Sequence, residues 1–295
     1  MTVKTLFVIA SEAKQSCFLK LLQEAHMCEF CTKHGDGQVW YKNAANYSND
    51  LLSDLRRRAF IAEFLETTFK SGFETLGRLE TIYRKKGRLP GVIRNEMESR
   101  AQREHYGQVL PIEEIRELVL NADTVVRMPC ACRWTTDKQE VRCCYGVSFG
   151  IEPWYKDIDM SYFGKAPDEG LEAVRREEAI AQMEEIEDLG AIHTIWTMMT
   201  PFIGAICNCT VRDCLAMRTL SSIRVETMAR AEYVASVDES TCTGCGSCES
   251  HCQFDAIGSR KESGRRTAQI NTFKCFGCGL CRKACDAGAI SLPQR

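Results

Sequence analysis

The chain has 295 residues, 44% hydrophobic and 26% charged, a composition that suits one large globular domain or two modest ones. Its 38 Lys+Arg against 40 Asp+Glu leave a net charge of −2, which gives no electrostatic footprint for a nucleic acid or an anionic membrane surface. Its 18 cysteines do not fit a disulfide-stapled secreted scaffold, because such scaffolds are short and this chain is long enough to bury a core without staples.

The apolar run Leu6–Ala10 is too short for a secretion signal and is followed at once by polar and acidic residues. No stretch approaches the roughly 18 apolar residues needed to span a bilayer. The cysteines therefore read as reduced thiols in a cytoplasm, held by metal. Phe7–Ser16 resembles a peptide produced when repetitive bacterial intergenic DNA is read as protein. Residues 1–26 are accordingly expected to be an extension outside the fold, with Met27 as an alternative start. Cys17 falls in this extension and is read as incidental. Cys28 and Cys31 form a lone C-x2-C with His34 nearby, which is equally a fragment of a metal site or two packed thiols.

Apolar residues at gaps of three and four from Leu55 to Tyr83 predict a long helix over 50–86, with Gly72 and Gly77 as possible breaks. The basic residues Lys85, Lys86, Arg88 and Arg94 that follow suit a helix C-terminus. Pro111 opens a second helix, with Glu113 and Glu114 in its first turn. Thr124–Met128 reads as a strand. Residues 171–189 read as a helix with Leu171, Val174, Ile180, Met183, Ile186 and Leu189 facing inward and Gly190 as its stop. Glu184, Glu185, Glu187 and Asp188 then form its solvated face. Ala191–Thr197 and Ile203–Ile206 are further strand candidates, and His193 within the first reads as a core histidine. Helices alternating with short strands predict an α/β or α+β body over 27–237.

The composition changes near Val237. Residues 238–295 hold eight cysteines and an internal repeat: 242–257 and 275–290 are offset by 33 residues and identical at 8 of 16 positions. Each copy is C-x2-C-x2-C-x3-C. Two intervening residues let the chain wrap the edge of a 4Fe-4S cube, and Gly244, Gly246, Gly277 and Gly279 let the backbone approach it. This segment resembles the bacterial two-cluster ferredoxins. The resemblance implies two [4Fe-4S] clusters with crossed ligation: Cys242, Cys245, Cys248 and Cys285 on cluster I, and Cys275, Cys278, Cys281 and Cys252 on cluster II. The family's usual Pro after the fourth Cys is replaced by Gln253 and Asp286. The charge of Asp286 is expected to lower the potential of cluster I.

Seven more cysteines fall into two groups in the body: Cys130 and Cys132 with Cys143 and Cys144, then Cys207 and Cys209 with Cys214. Both C-x-C pairs follow an apolar, strand-like run, and residues i and i+2 of a strand share a face. Each pair can thus present two thiolates to one point, and the two together predict one further Cys-ligated centre. An iron–sulfur cluster is the expected occupant, with zinc as the alternative. Pro-Cys-x-Cys-Arg, Ile-Cys-Asn-Cys and the ferredoxin repeat together resemble a group of iron–sulfur proteins of anaerobic bacteria and archaea, which implies redox work without naming a reaction. The expected function is single-electron relay between a donor and a redox partner protein or enzyme. The alternative is an iron–sulfur oxidoreductase whose body cluster is catalytic, which requires a pocket beside Cys130, Cys132, Cys207 and Cys209. No nucleotide fingerprint and no nucleophile–base arrangement stands out, so catalytic residues are not assigned.

Overall fold

The computed structural model describes residues 39–149, 154–164, 170–262 and 264–295. The extension 1–26, Cys17, Cys28, Cys31 and His34 lie outside the described residues.

The body is built on a sheet of seven strands among the described residues: β1 (Gly107–Val109), β2 (Thr124–Met128), β3 (Cys144–Ser148), β4 (Glu172–Ala173), β5 (Ile192–Thr197), β6 (Ile203–Cys209) and β7 (Met228–Ala229). Their spatial order is β4-β2-β3-β6-β5-β1-β7. Every pairing is antiparallel except β1 with β7. Strand β5 is buried along its whole length, its polar His193, Thr194 and Thr197 included.

Helices cover both faces. They are α1 (Asn49–Leu52), α2 (Leu55–Ala62), α3 (Ser71–Lys86), α4 (Gly91–Glu104), α5 (Ile112–Asn121), α6 (Ala131–Asp137), α7 (Arg176–Asp188) and α8 (Leu215–Ile223). One face packs Val125, Tyr145, Ile195 and Ile206 against α5 and α7 through Ile115, Leu118, Ala179 and Met183. The opposite face carries Val126, Met128, Trp196 and Cys209. The body is thus a mixed fold of helices on a largely antiparallel sheet, the α+β form of the expected class.

Several local expectations shift. The 50–86 stripe is interrupted by a π-helical turn at Leu65–Lys70, not at Gly72 or Gly77. Gly72 lies inside α3, where an added Cβ would come to 2.6 Å from Leu215 Cδ2; its role is close packing against α8. Pro111 is the N-cap of α5 and the helix proper starts at Ile112. Helix α7 starts at Arg176, because Glu172–Ala173 pairs with β2. Leu189, expected inward, is 84% exposed at the α7 C-cap. Glu187, expected on the solvated face, is buried.

The C-terminal segment adds α9 (Ser247–His251), the hairpin β9 (Ile257–Glu262) and β10 (Arg265–Ile270), α10 (Leu280–Lys283), and a small pair formed by β8 (Ser236–Val237) and β11 (Ile290–Ser291). The two repeats are thereby closed on each other by the strand that enters the segment and the strand that ends it.

Candidate metal centre

All seven body cysteines collect at one end of the sheet. Strand β2 ends just before Cys130, antiparallel β3 starts at Cys144, and β6 ends at Cys209. Cys144 and Cys207 are direct cross-strand partners. The first C-x-C, expected on a strand from its apolar approach, does not lie in one. Cys130 caps α6 and Cys132 lies in its first turn, so the pair is brought together by a strand-to-helix turn. Cys214 caps α8 in the same way.

The sulfurs form a connected set. Cys130, Cys143 and Cys144 lie within 4.8 Å of one another. Cys130 also lies within hydrogen-bonding reach of Cys132 and Cys209, and Cys214 reaches the same two. Cys130, Cys132, Cys214 and Cys209 therefore close a four-membered ring. Cys207 contacts the set through Cys144. Cys214 is thus in the ring, and Cys143 with Cys144 flank its Cys130 corner.

The electrostatics fit a thiolate site. The neighbouring thiols, Cys132 foremost, hold the Cys130 thiol well below its usual range against the opposing effect of burial. Cys132 and Cys209 likewise lower Cys214, helped by the backbone N–H groups of Met217 and Ala216 at the start of α8. Cys132, Cys143, Cys144 and Cys209 are pushed up, chiefly by sharing hydrogen bonds with a lowered neighbour. Arg133 Nη1 donates to Cys143 Sγ at 3.0 Å, and its Nε donates to Asp213 Oδ2 at 3.2 Å. Leu215 N–H points to Cys132 Sγ at 3.5 Å. Soft thiolates with N–H donors aimed at sulfur suit an iron–sulfur cluster or zinc.

In the C-terminal segment, one hollow is bordered by Cys242, Cys245, Cys248 and Cys285, and a second by Cys252, Cys275, Cys278 and Cys281. Each hollow takes its fourth cysteine from the other repeat. Gly244 and Gly277 both have φ of +71°, and a side chain there would collide with the Arg266 and Tyr233 carbonyls, so only glycine allows these loops to fold around a cluster. Ala235 N–H reaches Cys275 Sγ at 3.4 Å, and Ala256 and Ala289 N–H reach Cys252 and Cys285 Sγ at 3.3 Å. Burial raises the Cys281 thiol to about 12 and Cys278 further, a cost that metal ligation removes. Cys245 is exposed, so cluster I's hollow faces solvent. Asp286 is exposed too, which weakens its expected pull on the potential.

The second hollow's side meets the body. Phe276, Leu280 and Cys278 share an apolar cluster with Cys207, Cys209 and Cys214. Phe254 and Phe276 stack at 4.2 Å. Val211 N–H, between Cys209 and Cys214, donates to Gln253 Oε1 at 2.8 Å, and Gln253 Nε2 donates to the Gly190 carbonyl. Lys283 Nζ reaches buried Glu187 Oε2 at 2.9 Å. His193, expected as a satisfied core residue, bonds Asn208 Oδ1 through Nδ1 at 2.6 Å, while its buried Nε2 has no hydrogen-bond partner among the described residues and lies 3.8 Å from Glu187 Oε1. Gln253 was visible in sequence only as a departure from the ferredoxin pattern, and Glu187 only as one acid among four.

Beside the body thiols lies a cavity of about 260 Å³ that reaches Cys130, Cys132, Cys207 and Cys209. The pocket required by the enzyme alternative is therefore present. Its walls come from the π-helical turn, α3, α4 and β5, segments far apart in sequence, and no sequence signal marks it.

A family model, the 4Fe-4S dicluster domain, matches residues 241–289. The C-terminal segment is thus a ferredoxin-type iron–sulfur domain, and the body cysteines lie outside the matched span. No curated protein matches the chain. No helix among the described residues is long and apolar enough to cross a membrane.

Proposed function

We propose that the chain relays single electrons through three iron–sulfur centres. A redox partner delivers electrons to cluster I at the exposed Cys245 side; cluster II passes them on to a third centre held by Cys130, Cys132, Cys209 and Cys214. A cluster supplies the change of oxidation state. The chain supplies thiolate ligation, N–H···S bonds, the Arg133 charge and burial, which together set each potential. The observation that carries the reading is the shared apolar cluster of Cys278 with Cys209 and Cys214, which puts the body thiols against cluster II's side.

A second reading makes the body centre reactive, as an iron–sulfur oxidoreductase. The cavity against its thiols favours it. In both readings the protein works in a reducing cytoplasm, where thiolate clusters persist.

The test is stepwise anaerobic reduction of the full chain followed by EPR. Three paramagnetic centres with mutual spin coupling are expected. Two coupled centres with no third would limit the relay to the ferredoxin domain.

A further inference from the structure

The body cavity holds more room than a cluster requires. Each ferredoxin hollow, bordered by four cysteines, measures about 20 Å³, whereas the body cavity measures about 260 Å³. A cube seated on the body thiols would take the floor and leave most of the space above it.

That space is apolar and aromatic, walled by Phe64, Phe69, Met97, Leu215 and Trp196. Most of its polar groups already serve the protein. Thr67 and Thr219 hydroxyls donate to the Glu63 and Leu215 carbonyls of their own helices. Arg100 and Glu104 pair with each other at 2.7 Å. Besides Thr68 and Thr75, two groups are suited to a ligand. Thr227 Oγ1 is buried with no hydrogen-bond partner among the described residues. His105 Nδ1 lies 2.7 Å from the Thr197 carbonyl oxygen, and since a carbonyl only accepts, the ring proton sits on Nδ1 and Nε2 carries the lone pair. The ring is fixed by stacking on Trp196 at 4.6 Å and by an edge contact with Phe64 at 4.7 Å. Burial pushes its pKa down to about 4, so the imidazole is neutral at ordinary pH.

We propose that this cavity binds a small, uncharged aromatic molecule whose hydroxyl or N–H donates to His105 Nε2. A charged ligand would find no unpaired Arg, Lys or carboxylate among the described lining residues, and its desolvation would go uncompensated. Aromatic walls and one oriented acceptor are the pattern of a small-molecule site. The proposal deepens the oxidoreductase reading and rests on it for the ligand's place beside a redox centre.

The full-length protein, purified anaerobically, is titrated with 2-naphthol by fluorescence, with naphthalene and 2-naphthoate as probes lacking the donor or carrying charge. Saturable binding of one 2-naphthol is expected, with 2-naphthoate at least about 10-fold weaker. His105→Phe keeps the ring and its stack but loses the acceptor; it should weaken 2-naphthol about 10-fold and leave naphthalene unchanged. Ala101→Trp and Thr75→Trp fill the cavity from α4 and α3 and should each abolish binding; if one of them misfolds by circular dichroism, the other decides. No saturable 2-naphthol binding, binding that survives filling, or indifference to His105→Phe would overturn the proposal. Iron and sulfide are measured on the same samples: a body without iron that still binds 2-naphthol would sink the redox-centre reading alone, and full iron without binding would sink the cavity proposal alone.

Discussion

Gln253 Oε1 accepts the Val211 N–H at 2.8 Å, joining the residue after a ferredoxin cysteine to the loop between two body cysteines. Where a ferredoxin standing alone usually has proline at this point, this chain has a side chain with both a donor and an acceptor. It uses both, on Val211 and on Gly190. The change makes sense for a domain docked on a second metal site: proline offers no side-chain hydrogen bond.

Gln253→Ala should therefore loosen the junction without emptying either cluster. Two lost hydrogen bonds predict a destabilisation of about 1–3 kcal/mol in urea or thermal unfolding, with iron content unchanged. Stopped-flow reduction should show the body centre filling more slowly than in the wild type. Unchanged stability and unchanged kinetics would mean that the contact does not hold the two parts together.

The two hollows are bordered crosswise by the fourth cysteines, and the proposed ligation follows them. Cys285→Ser should perturb the EPR signal of the cluster bordered by Cys242, Cys245 and Cys248, and Cys252→Ser the signal of the other. Each substitution should shift or convert one cluster and spare its companion. Damage confined to a variant's own repeat would overturn the crossed arrangement.

Within the body, the ring geometry exchanges the parts expected of two cysteines: Cys207, of the second C-x-C, stands outside the ring and Cys214 inside it. Cys214 touches Cys132 and Cys209, whereas Cys207 meets the set through Cys144. Cys214→Ser should strip most iron from the body centre, and Cys207→Ser should leave it in place. Iron counting on both variants decides; equal loss from the two would remove the ring as the ligand set.

Arg133 places a cation against Cys143, where burial opposes its charge but the neighbouring sulfurs of Cys143, Cys209 and Cys130 favour it. Arg133→Gln removes that cation, so adding an electron to the centre becomes less favourable and its potential falls. A unit charge at roughly 7 Å in an effective dielectric of about 20 is worth about 2.4 kcal/mol, or on the order of 100 mV. A potentiometric EPR titration reads the shift, and a potential that stays still or rises would contradict the assignment.

The sequence carried some of this and not the rest, for physical reasons. The ferredoxin repeat is legible because ligation forces cysteines into fixed local spacing and glycines into fixed turns. Strand β2 is legible because it opens on three β-branched residues, Thr124, Val125 and Val126. Cys130 and Cys132 were expected on a strand because the apolar run before them is one; the chain turns into α6 right at Cys130, and one residue of context decides that. The inward place given to Leu189 failed because it is the C-cap of α7, just past the last turn, whose buried residue is Glu187. Glu187 looked solvated on its helix, and it is buried against Lys283, 96 residues away, and His193. The cavity and His105 are built from long-range packing that no local pattern encodes.

The central claim is a third metal centre in the body, and metal counting tests it most directly. The full chain, purified and handled without oxygen, is analysed for iron, acid-labile sulfide and zinc. Three cubes predict about twelve iron and about twelve sulfide per chain with no zinc. About eight of each, with one zinc or with no further metal, would contradict the account and leave the ferredoxin domain as the protein's sole redox part.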